Sequence, residues 1–415
     1  QSVVIGHGAT IPKPAWEAVR MDATMPIDLS APGCPVEVRG IAELTGSPGA
    51  LRPMRLPAWA LAQTDTPALP VVASMPSGAR LSFLTDATEV VIEAQLITPK
   101  TADRPVKPVV FEATADGEPE ARAAATDYHL IHTPDVTKQD VVIVPGRPAR
   151  VVLDGLPAGR KHLEVWLPQN AGIEIRTFAV SAGAAVLPPP VDTRRRWVHY
   201  GSSISHCMEA GHPLGVWPVI AARAAGVDVR NLGLGGQCHL DQFVARMIRD
   251  SDADMVSMKV GINVVNLDSM RDRAFLPAFH GFVDTVREGK PGVPLLVVSP
   301  IFCPGHEDGP GPSLRSESGV YSRERPGFLA TGALTLRRIR ELLATAVAAR
   351  RDAGDTDIHY LDGLSLFGEG DAADLPDLLH PNSEGYARMG ARFHRLAFVD
   401  GPFAGPAAGH QSAPG

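Results

Sequence analysis

Trp197-Val198-His199-Tyr200-Gly201-Ser202-Ser203-Ile204-Ser205 opens on a short apolar strand that ends in a Gly-Ser-Ser turn. The chain beyond it repeats that rhythm. Trp217 to Ala225 has helical spacing, Val227-Asp-Val-Arg reads as a strand, and Leu240 to Arg249 returns to helical spacing. Ala253 to Val260, Val293 to Val298 and Ile358 to Leu361 supply further strands. Between the last two lies a helix from Leu334 to Arg350, with Leu336, Ile339, Leu343 and Val347 on one face. Alternating strand and helix predict a parallel α/β sheet with right-handed crossovers.

Upstream of Trp197 the texture is different. Arg80-Leu-Ser-Phe-Leu, Thr88 to Ala94, Val141 to Val144, Val151-Val-Leu, Lys161 to Leu167 and Gly172 to Val180 are short apolar runs separated by Asp-Gly, Pro-Gly and Ala-Gly pairs. Period-two runs between turn residues predict antiparallel strands and a β-sandwich or jelly roll. Pro188-Pro-Pro-Val-Asp is a stiff connector between the two textures. The expected organisation is a β-sandwich domain over 1–190, resembling a carbohydrate-binding module, an α/β domain over 191–400, and a flexible tail over 401–415.

Composition narrows the function classes. The chain has 415 residues, enough for two domains, and a formal charge of -7 that argues against a nucleic-acid partner. Its 40 glycines and 38 prolines exceed the usual share but fall short of a disordered composition, which puts the excess in loops. No apolar run reaches the roughly 18 residues of a membrane helix. Four scattered cysteines form neither a disulfide framework nor a zinc spacing, so reduced thiols and a cytoplasmic location are expected. No signal-peptide pattern opens the sequence.

In open α/β sheets, ligands bind beyond the carboxyl ends of the strands. The residues there are Gly201-Ser202-Ser203 after the first strand, Asn231-Leu-Gly-Leu-Gly235-Gly236 after the second and Gly261-Ile-Asn263 after the third. Asp377-Leu-Leu-His380-Pro381-Asn382 comes near the carboxyl end. Taken singly, each string has an ordinary structural reading. Ser203 suits a turn or a helix cap, Asn263 a cap, and His380 to Ser383 a helix start with Tyr386, Met389 and Phe393 on its buried face. The glycines after Asn231 fail as a dinucleotide fingerprint, because Cys238 stands where the third glycine belongs. His199, His206 and His239 fall in these turns, but no carboxylate or cysteine completes a metal spacing, so neither metal nor cofactor is expected. Cys207 and Cys238 read as packing residues and Lys259 as a partly buried structural lysine.

Together and in this order, the four blocks resemble the SGNH, or GDSL-type, hydrolase superfamily, over roughly residues 195 to 398. The β half ahead of them resembles the subgroup that contains a salicylyl acyltransferase of tetracycline biosynthesis. The resemblance implies a three-layer α/β/α domain, Ser203 as nucleophile, and an oxyanion hole made by Ser203, Gly236 and Asn263. It also implies Asp377 and His380 as the acid–base pair. Two positions depart from the family pattern: its usual aspartates are Ser202 and Val264 here. Both are supporting groups in the family.

The chemistry fits these residue types. A serine hydroxyl needs a base, an imidazole with an ordinary pKa near 6.5 supplies one, and a carboxylate fixes its tautomer. Gly-x-Ser-x-Gly, Walker A and His-Glu-x-x-His strings are absent, which leaves serine acyl transfer from a small-molecule or sugar ester. Water as acceptor makes an esterase; a bound alcohol makes an acyltransferase, of the kind used in specialised metabolism. The rival reading is a carbohydrate-binding protein with a decayed catalytic half. The Gly/Pro-rich stretch from Cys303 to Gly332 is expected to lack regular structure and to lid the site, with Tyr321, Phe328, Arg315 and Arg323 offering apolar cover and cationic contacts that suit a large polar or acidic partner, Tyr321 and Arg323 foremost as substrate-binding residues.

Overall fold

The computed structural model describes residues 24–101, 105–133, 142–316 and 319–405. The strand expected from Val141 is described from Val142 onward, and residues 406–415 of the expected tail lie outside the described residues.

Two sheets occupy the first half. An eight-stranded sheet centres on Val90–Thr101 and Gly172–Ser181, which pair antiparallel. A six-stranded sheet centres on Arg80–Thr85, Lys161–Trp166 and Val109–Ala115. Leu81, Phe83, Ile92, Phe111, Val165, Ile173 and Phe178 fill the space between them. Phe83 meets Phe178 edge to face at 5.6 Å. The expected sandwich is present, though His129–Thr133 runs parallel to Val90–Thr101.

The six-stranded sheet departs from the inside-outside alternation of a free sandwich. All seven residues of Val109–Ala115 are buried. Val109, Phe111, Ala113 and Ala115 enter the sandwich core, while Glu112 faces the other way and meets His212 and the Leu214 N–H of the α/β half. Two strands away, across Lys161–Trp166, buried Arg80 reaches Glu164 at 2.7 Å and Asp228 of the α/β half. This sheet is therefore a middle layer, with cores on both sides.

The second half is a five-stranded, all-parallel sheet. Its strands are Arg196–Gly201, Asp228–Gly233, Met255–Lys259, Leu295–Val298 and Ile358–Leu361, in spatial order second, first, third, fourth, fifth. Helices Trp217–Ala225 and Ser383–Phe393 pack together, as do Gln242–Arg249 and Asp272–Gly289. Trp197 stacks on Phe393 at 5.0 Å. The helix expected from Leu240 starts at Gln242, because Leu240 takes a left-handed φ of 61° and gives its N–H to the Tyr200 hydroxyl. No helix among the described residues is long and apolar enough to cross a membrane.

Two expectations need correction. The segment from Cys303 to Gly332 does hold regular structure: a hairpin of Leu314–Ser316 with Gly319–Tyr321, and a helical turn at Gly327–Ala330. Tertiary contacts override its composition, since Val320 donates its N–H to the Asp377 carbonyl at 3.0 Å. Residue 403, within the tail expected over 401–415, is also packed rather than free. Phe403 is fully buried beside Trp197, and Arg195 donates to its carbonyl at 2.7 Å.

Candidate active site

The strand order reverses between the first and third parallel strands, which is where such sheets open a crevice at their carboxyl ends. Ser203 follows the first strand, Gly235 and Gly236 the second, and Asn263 the third. All four line one cavity of about 310 Å³, together with Asp377 and His380.

Ser203 begins the one-turn helix Ser203–His206. Ser202, buried, caps that turn by accepting from the Ile204 N–H at 3.3 Å. A serine in place of the family's aspartate thus still fixes the backbone of the nucleophile turn. Below it, His199 bridges Ser205 at 2.7 Å and Ser257 at 2.6 Å. From the second strand, the Asn231 amide reaches the Ser205 carbonyl at 2.8 Å. From the β half, Ser77 donates to the His206 carbonyl at 2.8 Å.

His380 Nε2 lies 2.9 Å from Ser203 Oγ, and its Nδ1 lies 2.8 Å from Asp377 Oδ2. The other Asp377 oxygen accepts the backbone N–H groups of His380 at 2.7 Å and Leu379 at 3.1 Å. Burial disfavours the Asp377 carboxylate, but these contacts outweigh it and hold the group well below the usual carboxylate range. Burial also opposes charge on His380. The neighbouring carboxylates of Glu209 and Asp377 overcome that and raise its pKa above the ordinary imidazole value, with Arg315 opposing them. Asn382 caps the helix after it, accepting from the Gly385 N–H at 2.8 Å, as the structural reading of His380 to Ser383 expects.

Facing Ser203 are candidate donors. Asn263 accepts from the Cys238 N–H at 3.1 Å through Oδ1 and lines the cavity, and among the described residues its amide N–H groups have no acceptor. Among the described residues, the Ser203 and Gly236 N–H groups have no protein acceptor. Gly236 has a φ of 70°, the left-handed region that suits glycine. Val264, in place of the second family aspartate, is fully buried in the core.

The remaining sequence candidates scatter. His199, His206 and His239 each bond to different groups, and the described residues include no cluster of three His, Cys, Asp or Glu side chains. Burial pushes the Cys238 thiol up to about 12 and the Lys259 ammonium down to about 8. Of the residues expected to lid the site, Arg315 lines the cavity and Tyr321, Phe328 and Arg323 do not. Sequence reasoning passed over Glu209, Lys100, Lys107 and Asn170, which also line it. Three of these belong to the β half, where no motif marks them.

Residues 199–388 match the model of the GDSL-like lipase/acylhydrolase family. The match falls on the parallel-sheet half, which carries a GDSL-like domain. The architecture of the whole chain is similar to that of the salicylyl-acyltransferase SsfX3 from a tetracycline biosynthetic pathway, at 26% identity and a TM-score of 0.74, covering 90% of this chain and 96% of that one. A protein from Bacteroides ovatus assigned as a GDSL-like lipase shares the fold at 19% identity and a TM-score of 0.62, covering 89% of this chain and 96% of that one. A family two carbohydrate esterase from Cellvibrio japonicus does so at 13% identity and a TM-score of 0.52, covering 90% and 96%. No curated protein matches the sequence.

Proposed function

We propose that this protein transfers an acyl group from a small-molecule or sugar ester through a covalent Ser203 ester, with residues 1–190 as a β-sandwich domain and 191–400 as the catalytic domain. The observation that carries the reading is the line Asp377, His380, Ser203, set opposite free donors in a single cavity.

The steps balance with these groups alone. Ser203 Oγ attacks the ester carbonyl carbon while its proton passes to His380 Nε2. The carbonyl oxygen becomes an oxyanion, met by the Ser203 and Gly236 N–H groups and the Asn263 amide. Collapse breaks the bond to the leaving oxygen, which takes the proton back from His380 and departs as an alcohol. Water or a second alcohol then repeats the sequence in reverse, giving its proton to His380 and taking the acyl group. Asp377 stays ionised throughout and stabilises the imidazolium. The two acceptors share every step up to deacylation; similarity to an acyltransferase at 26% identity supports transfer to an alcohol as one outcome.

The test is turnover of p-nitrophenyl esters of increasing acyl length, with and without added alcohols, by the wild type and Ser203→Ala. The reading requires Ser203-dependent release of p-nitrophenol. Equal rates for both proteins would leave a carbohydrate-binding protein with a decayed catalytic half.

A further inference from the structure

The cavity over Ser203 holds more positive charge than the acyl chemistry uses. Lys100, Lys107 and Arg315 line it with two acids, Glu209 and Asp377. Both acids are already matched. Asp377 faces His380 at 2.8 Å, and Glu209 receives the Tyr386 hydroxyl at 3.1 Å with Lys107 at 3.8 Å. Lys100 and Arg315 are left over. Among the described residues neither has a carboxylate within ion-pair distance, in a chain whose 46 acidic residues outnumber its 39 basic ones.

They also come from separate places. Lys100 lies near the end of the Val90–Thr101 strand in the β half, and Arg315 lies in the hairpin tied to Asp377 by the Val320 N–H. Two elements thus each deliver one such cation to the same cavity. Among the described residues the lining includes no Trp, Tyr or Phe on which a sugar ring would stack.

We propose that the ester accepted by Ser203 carries an anionic group, a carboxylate or a phosphate, seated between Lys100 and Arg315. The inference rests on the reading of Ser203 as nucleophile and narrows its substrate. A planar guanidinium binds either oxyanion through paired hydrogen bonds, and an ammonium adds a point charge from the second wall. The β half then takes part in choosing the substrate, rather than serving as a separate binding module.

The test is a matched set of acetyl esters: phenyl acetate, 4-acetoxybenzoate and 4-acetoxyphenyl phosphate. In the wild type at low salt, kcat/KM for one or both anionic esters should exceed that for phenyl acetate by roughly tenfold or more. In Lys100→Met/Arg315→Met that ratio should fall by a similar factor, and Arg315→Lys should recover part of it. The carboxylate and phosphate arms tell the two sources of charge apart. A ratio near one in the wild type, or one that survives the double substitution, overturns the proposal. Binding to Ser203→Ala, by calorimetry, separates it from the reading it rests on. Preferential binding of 4-acetoxybenzoate over phenyl acetate without wild-type turnover would sink the nucleophile and keep the anion site. Ser203-dependent turnover without charge preference would sink the anion site and keep the nucleophile.

Discussion

His380 sits among groups that pull its proton affinity in opposite directions. Burial lowers it, Glu209 and Asp377 raise it, and the balance lies above the ordinary value of about 6.5. Only the neutral ring can accept the Ser203 proton, so activity should be lost as the pH falls through this raised pKa. The acid limb of kcat/KM should therefore inflect above the ordinary imidazole value. Glu209→Gln removes a negative neighbour that favours the imidazolium, and the limb should move to lower pH. A limb unmoved by this substitution would mean that Glu209 does not act on the ring. At the opposite wall, Asn263→Ala should lower kcat by about 100-fold or more with little change in KM, because its amide meets charge that exists only in the transition state. A loss confined to KM would make Asn263 a substrate-binding residue instead.

At the scale of elements, the hairpin beside the site depends on one glycine. Gly319 has a φ of 127°, and a Cβ there would lie 2.5 Å from the Asp377 carbonyl oxygen. Gly319→Ala should cost on the order of 1–3 kcal/mol in backbone strain and push the hairpin off the Asp377 turn. Urea unfolding should register the lost stability, and turnover should fall with it; a variant equal to wild type in both would show that the hairpin does not brace Asp377. This hairpin was illegible in the sequence because its order comes from a hydrogen bond to a residue far along the chain, which composition does not reveal. The parallel strands and the blocks after them were legible for the opposite reason. Each strand carries its own apolar run, and each of Ser203, Gly236 and Asn263 comes just after a strand end. Asp377 and His380 were legible as a pair because they stand three positions apart and the geometry between them is local. Lys100 and Lys107 reach the cavity only through the packing of distant segments, so no local pattern announces them. Of the four residues that the composition of the Cys303 to Gly332 segment singles out, the hairpin brings only Arg315 to the cavity lining.

On the scale of the whole molecule, the two halves are bonded through buried polar groups as well as apolar packing. Arg55, fully buried, donates to the Val72 carbonyl at 2.8 Å within the β half and to the Asn231 and Gly233 carbonyls at 3.1 and 2.6 Å in the other. Arg80 lies over the Trp166 ring at 4.8 Å while binding Glu164 and Asp228. Asn231 in turn holds the Ser205 carbonyl at 2.8 Å, so this contact runs directly beneath the Ser203 turn. Arg55→Met should leave up to three buried carbonyls short of a partner, at roughly 1–3 kcal/mol each. A lower urea midpoint together with lower kcat is the expected result. Residues 191–405 expressed alone should fail to unfold cooperatively, since the face that meets the six-stranded sheet would be bare. Cooperative unfolding and wild-type turnover by that fragment would show the halves to be independent.

The central claim is that Ser203 is activated for covalent acyl transfer, and intact-mass measurement after exposure to a fluorophosphonate tests it most directly. The wild type should gain one phosphonyl group, mapped to Ser203 by peptide sequencing. Ser203→Ala should gain none, and His380→Ala should react far more slowly. An unmodified wild-type protein, or an adduct mapped elsewhere while Ser203 stays free, would contradict the account.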